Sequence, residues 1–223
     1  MRTLRIATFN IRHGLGGAKR VDLPATAATM AACEADLIAL QEVDRNLARS
    51  ERVDQPRALE EMTGMVVSFF PTIARRGGHY GIALAARDLE GARFEELPQL
   101  DPEEEPRGAI VARWRGLSVI ATHLSFKRPT TAHQTEALAA VAESLEPPVV
   151  ILGDLNQDRH GLEPLVAAGY SPDAERHETF KPGLRGRQLD YVLAGRGATV
   201  ARAWTVASDA SDHVPLVAEV AVS

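Results

Sequence analysis

Residues 151–158 read ILGDLNQD. Ile151, Leu152 and Gly153 lead into Asp154, and Asn156 follows two places later. With Val149 and Val150 before it, the run has the composition of a buried strand. A strand that ends in a carboxylate and a carboxamide presents both to one side, because residues i and i+2 of an extended chain share a face. Asp154 and Asn156 could then reach one phosphate and its attacking water together. A calcium loop is the competing reading, since D-x-N-x-D opens such loops. It fails further on: the sixth position should be Gly and the twelfth Glu, and Arg159 and Leu165 stand there.

The same pattern recurs along the chain. TLRIATFN ends at Asn10, DLIALQE at Glu42 and LSVIATH at His123; RQLDYVLA contains Asp190, and SDHVPLVAEV begins with Asp212 and His213. A single polar residue at a strand end commonly meets water or caps a turn. The set as a whole suits one chemistry, metal-assisted phosphoryl hydrolysis. Mg²⁺ or Mn²⁺ takes oxygen ligands, chiefly carboxylates, water and substrate phosphate. Glu42, Asp154, Asp190 and Asp212 supply acids, Asn10 and Asn156 amides that can donate to phosphoryl oxygens, and His123 and His213 imidazoles that bind phosphate or move protons.

Other sites find little support. There is no G-x-x-x-x-G-K-[ST] phosphate loop and no G-x-S-x-G elbow, and Ser211, Asp212 and His213 are too close in sequence to form a triad by themselves. One cysteine excludes an internal disulfide and argues against a structural zinc site; Cys33 lies in an alanine-rich stretch and reads as a small buried hydrophobe.

The chain has 223 residues, 45% hydrophobic and 25% charged, the balance of a globular protein with a sizeable core. A net charge of −5 argues against coating nucleic acid by bulk electrostatics, though not against meeting a phosphate through a metal ion. No stretch approaches the roughly 20 apolar residues of a membrane span, and MRTLRIATFN lacks a signal-peptide core, so a cytoplasmic protein is expected; a monomer is taken only as the default. No repeat or linker divides the chain, which reads as one domain, 1–223.

Strand patterns fall at 3–11, 36–43, 66–73, 80–86, 92–98, 108–114, 117–123, 148–153, 189–194, 199–206 and 214–222, and helical patterns at 23–34, 55–63 and 130–145. DPEEEPRG (101–108) reads as a solvated loop, and 171–187 as another. The expected fold is a layered α/β arrangement with mixed or antiparallel sheets. His79, in GHYG, reads as either a turn residue or part of the active-site rim, and His13, His160 and His177 as surface or loop histidines.

ATFNIRHG, DLIALQEVDR, HYGIALAAR, THLS, ILGDLNQD, RQLDYVLA and SDHVPLVAEV occur in this order over residues 3–222. In this the chain resembles the endonuclease/exonuclease/phosphatase superfamily, with its deoxyribonuclease I-like fold. The resemblance implies a four-layer sandwich, two packed mixed β-sheets flanked by α-helices, with the site at one edge. It implies Glu42 as principal metal ligand assisted by Asn10 and Asp212, and Asp154 as the residue that orients or deprotonates water. Asn156 would contact the phosphate, Asp190 would orient His213, and His123 would contact the phosphate or assist the leaving group. A second metal would draw on Asp154, Asn156 and His213. DNA-repair members usually carry Tyr at His123 and Thr-Lys after the glutamate, so QEVDR and THLS look more like the deoxyribonuclease I, sphingomyelinase and phosphodiesterase side. His133 departs from the Arg of many relatives, outside the expected chemistry.

The reading is therefore a Mg²⁺- or Mn²⁺-dependent phosphodiester (or phosphomonoester) hydrolase, whose substrate could be nucleic acid, a lipid head group or a small phosphodiester. The alternative is a catalytically silent member that only binds a phosphoryl ligand. Arg12, Lys19, Arg20, Arg45, Arg75, Arg76, Lys127, Arg128, Arg185 and Arg187 are candidates for a basic rim.

Overall fold

A computed structural model describes residues 2–75, 77–181 and 186–222. Among them the elements run β1 (Arg2–Asn10), α1 (Leu23–Ala32), β2 (Leu37–Arg45), α2 (Gln55–Thr63), β3 (Val66–Arg75), β4 (Gly78–Ala86), β5 (Glu90–Glu96), β6 (Gly108–Trp114) and β7 (Leu117–His123). They continue with α3 (Arg128–Ser144), β8 (Val149–Asp154), α4 (Glu163–Ala167), β9 (Asp190–Gly195), β10 (Ala198–Thr205) and β11 (Leu216–Val222). One sheet has the order β10-β11-β1-β2-β4-β3 and the other β5-β6-β7-β8-β9. Only β1–β2 and β7–β8 pair in parallel; every other neighbour is antiparallel, so both sheets are mixed.

Three cores separate four layers. The central one lies between the sheets and joins Leu4, Ile6, Leu84, Trp114, Val119, Leu152, Val192 and Val220. A second packs the outer face of the six-stranded sheet (Phe9, Ile38, Leu40, Val217) on α1 and α2 through Met30 and Leu59. The third packs Ile120, Ile151 and Leu193 on α3 and α4 through Leu138 and Leu165. Each two-sided strand thus alternates between cores and reads as almost continuously apolar, which is why ILGD looked buried.

Side-chain caps start α1 and α2. Asp22 accepts from the Ala25 N–H at 3.0 Å and Asp54 from the Arg57 N–H at 3.3 Å, each with a proline in the first helical turn. α4 was not expected: five residues carry too little period to be seen, and burial of Leu162 and Leu165 against the α3 layer defines it. No helix among the described residues is long and apolar enough to cross a membrane.

Candidate active site

The inner face of each central strand runs out of core at the same edge. In β1 the sequence Leu4, Ile6, Thr8 ends at Asn10; in β7, Leu117, Val119 and Ala121 end at His123; in β8, Val150 and Leu152 end at Asp154. β9 enters from that edge, with Asp190 in step with Val192 and Ala194. Register pairs His123 with Asp154 and Asp154 with Asp190 across neighbouring strands. Gly153 permits the close approach: a Cβ there would sit 2.0 Å from the Thr122 carbonyl oxygen, and its φ of +153° is one that side chains rarely adopt.

Glu42 breaks parity. Ile38 and Leu40 face the helices, so a regular strand would send Glu42 there too. The register against β4 instead shifts between Leu40 and Val43, and Glu42 takes a φ of +57°. This bulge re-aims the carboxylate into the inter-sheet edge. Left-handed φ at a non-glycine residue costs on the order of 1–2 kcal/mol, and it is held here at a residue whose position serves the site.

Asn10 ties the acids together. Its Nδ2 donates to Glu42 Oε1 and to Asp154 Oδ2, both at 3.0 Å, while its Oδ1 accepts from the Arg12 N–H at 3.0 Å. Asp154 Oδ2 is also faced by His123 Nε2 at 3.6 Å and His213 Nε2 at 3.7 Å. Behind His213, Asp190 Oδ2 lies 2.8 Å from Nδ1, and Phe180 packs on the imidazole with centroids 4.7 Å apart. His213 sits on a loop pinned to residues 179–181 by Val214 N–H to Thr179 O at 2.7 Å and Lys181 N–H to Asp212 O at 3.1 Å. Asp212 pairs with Arg12 at 3.3 Å. Behind His123, Arg107 Nη1 lies 2.9 Å from Nδ1, and Arg107 Nη2 pairs with Glu105 at 2.8 Å.

Burial is the largest influence on Asp154, Glu42, His213 and His123. It raises Asp154 to about 7, helped by Asp190 and opposed by His213 and the Asn10 hydrogen bond. It raises Glu42, which Asn10 partly offsets. His213 is pulled down by burial but lifted further by Asp190, Asp154 and Asp212, to about 10. His123 is held well below its ordinary value by burial, Arg107 and His213. Burial is the first cause of both raised carboxylates, and among the described residues Asp190 Oδ1 is buried with no hydrogen-bond partner. Ligand atoms of Asp154, Asp190 and His213 lie within 4.8 Å of one another. Buried carboxylates converging on one cleft, one of them with an oxygen free of hydrogen bonds among the described residues, fit a divalent cation.

Glu42, His123, Asp154, Asn156, Asp212 and His213 wall one cleft of about 350 Å³, while Asn10 and Asp190 stand behind it. Asn156 arrives differently from the expectation. β8 ends at Asp154; Asn156 turns into the left-handed region at φ +51°, with its N–H on Asp154 Oδ1 and its Nδ2 on the Leu124 carbonyl. A side-chain turn, which Asn favours, replaces the extended i, i+2 geometry.

The cleft also includes Arg49, Tyr80, Glu105, Arg107, Phe126 and Phe180, none of them singled out by the sequence. The loop 101–108 is not wholly solvated: Arg107 is 6% exposed, because its guanidinium is drawn inward by His123 and Glu105. Its position directly before the apolar run GAIVARW was the available signal. Tyr80 reaches the cleft and His79, one residue earlier on β4, does not line it; it contacts Arg45 at 3.5 Å. His177 is in a loop as expected but buried, with Nε2 2.7 Å from Asp173. Of the proposed basic rim, Arg12 and Arg187 wall the cleft, Lys127 pairs with Asp101 and Glu104, and Arg20 with Asp22. Arg76 and Arg185 lie outside the described residues.

Two mixed sheets with flanking helices and this edge site define a phosphoesterase-type sandwich. The chain matches the Endonuclease/Exonuclease/phosphatase family over residues 7–213 and belongs to that family. It is similar to an endonuclease/exonuclease/phosphatase from Beutenbergia cavernae, with 21% identity and a TM-score of 0.82 over 100% of this chain and 72% of that one. A Bacteroides vulgatus endonuclease/exonuclease/phosphatase shows 18% identity and a TM-score of 0.77 over 100% of both chains. An AP endonuclease from Archaeoglobus fulgidus shows 21% identity and a TM-score of 0.71 over 96% of this chain and 98% of that one. At these identities the likeness is one of fold. No curated protein matches the sequence.

Proposed function

We propose that the protein is a Mg²⁺- or Mn²⁺-dependent hydrolase of a phosphodiester bond, acting by in-line attack of water without a covalent enzyme intermediate. The observation that carries this reading is the convergence of Glu42, Asn10, Asp154, His123 and the Asp190–His213 pair from both sheets onto one cleft, with Asp190 Oδ1 buried and without a hydrogen-bond partner among the described residues.

Glu42, assisted by Asn10 and Asp212, would hold the cation. When bound, it supplies positive charge to the phosphoryl oxygens and lowers the pKa of water. Asp154 accepts the proton of the attacking water, its carboxylate held in place by the Asn10 side chain and the Asn156 N–H. As the new P–O bond forms, the bond to the departing alkoxide breaks. His123 and His213 face the reacting region beside Asp154 and serve the phosphoryl and leaving-group oxygens. Asp190 orients His213, as carboxylates do for functional imidazoles. Asn156 and Arg187 line the wall where the rest of the substrate would lie.

The test is hydrolysis of bis-p-nitrophenyl phosphate with Mg²⁺, Mn²⁺ or EDTA. Turnover should need the metal and vanish in Asp154→Ala and His213→Ala, each shown folded by circular dichroism. Calorimetric binding of a phosphoryl ligand without turnover under any metal would leave a silent binding protein instead. A panel of single- and double-stranded DNA, RNA, phospholipids, sugar phosphates and cyclic nucleotides then ranks substrates. Gel filtration tests the expected monomer.

A further inference from the structure

Arg107 and His123 form a buried pair whose direction admits one arrangement. Nη1 of Arg107 is 2.9 Å from His123 Nδ1. A guanidinium has five N–H donors, no acceptor, and does not lose its proton in proteins. In this contact the arginine donates, and Nδ1 must offer its lone pair. A histidine whose Nδ1 accepts is neutral and carries its one proton on Nε2. That Nε2 points to the cleft, 3.6 Å from Asp154 Oδ2, which is longer than a hydrogen bond and leaves the N–H uncommitted.

The pair is built to stay put. Arg107 is 6% exposed and His123 4%. Glu105 holds the other end of the guanidinium at 2.8 Å. Arg107 Nε is buried without a partner among the described residues. Leaving a donor of a charged group unmet costs free energy, and here it accompanies a guanidinium placed to serve His123.

We infer that Arg107 is a positioning residue that locks His123 as the neutral Nε2–H tautomer, so that His123 serves the phosphoester as a hydrogen-bond donor and never as the base. Resting on the hydrolase reading above, this deepens it: with the His123 lone pair consumed by Arg107, proton acceptance from water falls to Asp154. His123 Nε2–H instead holds a phosphoryl oxygen as negative charge grows on it. An oriented donor of this kind gains strength in the transition state without reorganising.

The experiment is a long-range ¹⁵N–¹H correlation on histidine-labelled, metal-free protein near pH 7, with His123 assigned by its loss in His123→Gln. The expected spectrum has an unprotonated Nδ1 and a protonated Nε2. A proton on Nδ1 of the wild-type protein overturns the proposal. In Arg107→Met the tautomer should relax to a mixture, and kcat with Mg²⁺ should fall about 10²-fold, the loss typical of one misdirected oxyanion donor, with a smaller change in KM. Arg107→Gln keeps an amide donor without the charge and should restore the tautomer and most of kcat. A folded Arg107→Met with unchanged tautomer and kcat also overturns it. Should Arg107→Met not fold, the wild-type spectrum and Arg107→Gln still decide. The tautomer is read without turnover, so a failed hydrolase assay and a failed inference give different results.

Discussion

Two histidines face the same carboxylate oxygen from opposite walls, at 3.6 and 3.7 Å, and their surroundings oppose each other. His123 is the last residue of a core strand, backed by a cation, Arg107. His213 sits on a loop before β11, backed by an anion, Asp190, and covered by Phe180. The first is driven toward its neutral form and the second held as imidazolium up to about pH 10. Residue type is therefore a poor guide to role; the partner at the far nitrogen decides it. Pairs of titratable groups pushed apart by their environments mark out acid, base and donor.

The largest effect should come from the His213 side. Asp190→Asn keeps the shape but removes the anion, and kcat for bis-p-nitrophenyl phosphate should fall on the order of 10³–10⁴-fold, the cost of losing an orienting carboxylate in a triad. A fall no deeper than for His123→Ala would erase the contrast. His123→Ala should cost less, about 10²–10³-fold in kcat, as one donor lost from a preorganised site.

Stability against pH should separate the two by sign. The folded pKa of His213 is raised, so its stabilisation is fully present below about 6.5 and lost as pH rises through about 10. The folded pKa of His123 is lowered, so its contribution is present above about 6.5 and lost as pH falls toward and below that value. Urea melts in EDTA from pH 5 to 10, on wild type, His213→Gln and His123→Gln, should give difference curves that slope in opposite directions. Parallel curves would mean that the partners do not set the charge states. The smallest effect is expected at the cleft lip: Phe126 is 70% exposed, so Phe126→Ala should leave the unfolding free energy within about 0.5 kcal/mol of wild type. Its KM across the substrate panel then reports contact with substrate without a stability artefact.

Strands and long helices were legible because their residues repeat a period. Asn10, His123, Asp154 and Asp190 were legible as polar residues at the ends of apolar runs; that they share the inner face was not, because a strand buried on both faces carries little alternation. Among the features that escaped, three have a local cause. α4 is shorter than its period; Arg107 sits in a polar run that resembles solvated loop; and Asn156 leaves the strand through a side-chain turn. Glu42 was found from its place after DLIALQ, though strict alternation would have aimed it at the helices, and only its bulge delivers it to the site.

By itself the chain determined that acids, amides and imidazoles stand where apolar strands end, because apolar runs and the polar residues that stop them are local features of the sequence. Tertiary structure alone decided who stands behind whom. That Arg107 meets His123 from 16 positions away and Asp190 meets His213 from 23 depends on strand order and loop closure. Charge state follows from those long-range neighbours and from burial, neither of which local sequence encodes.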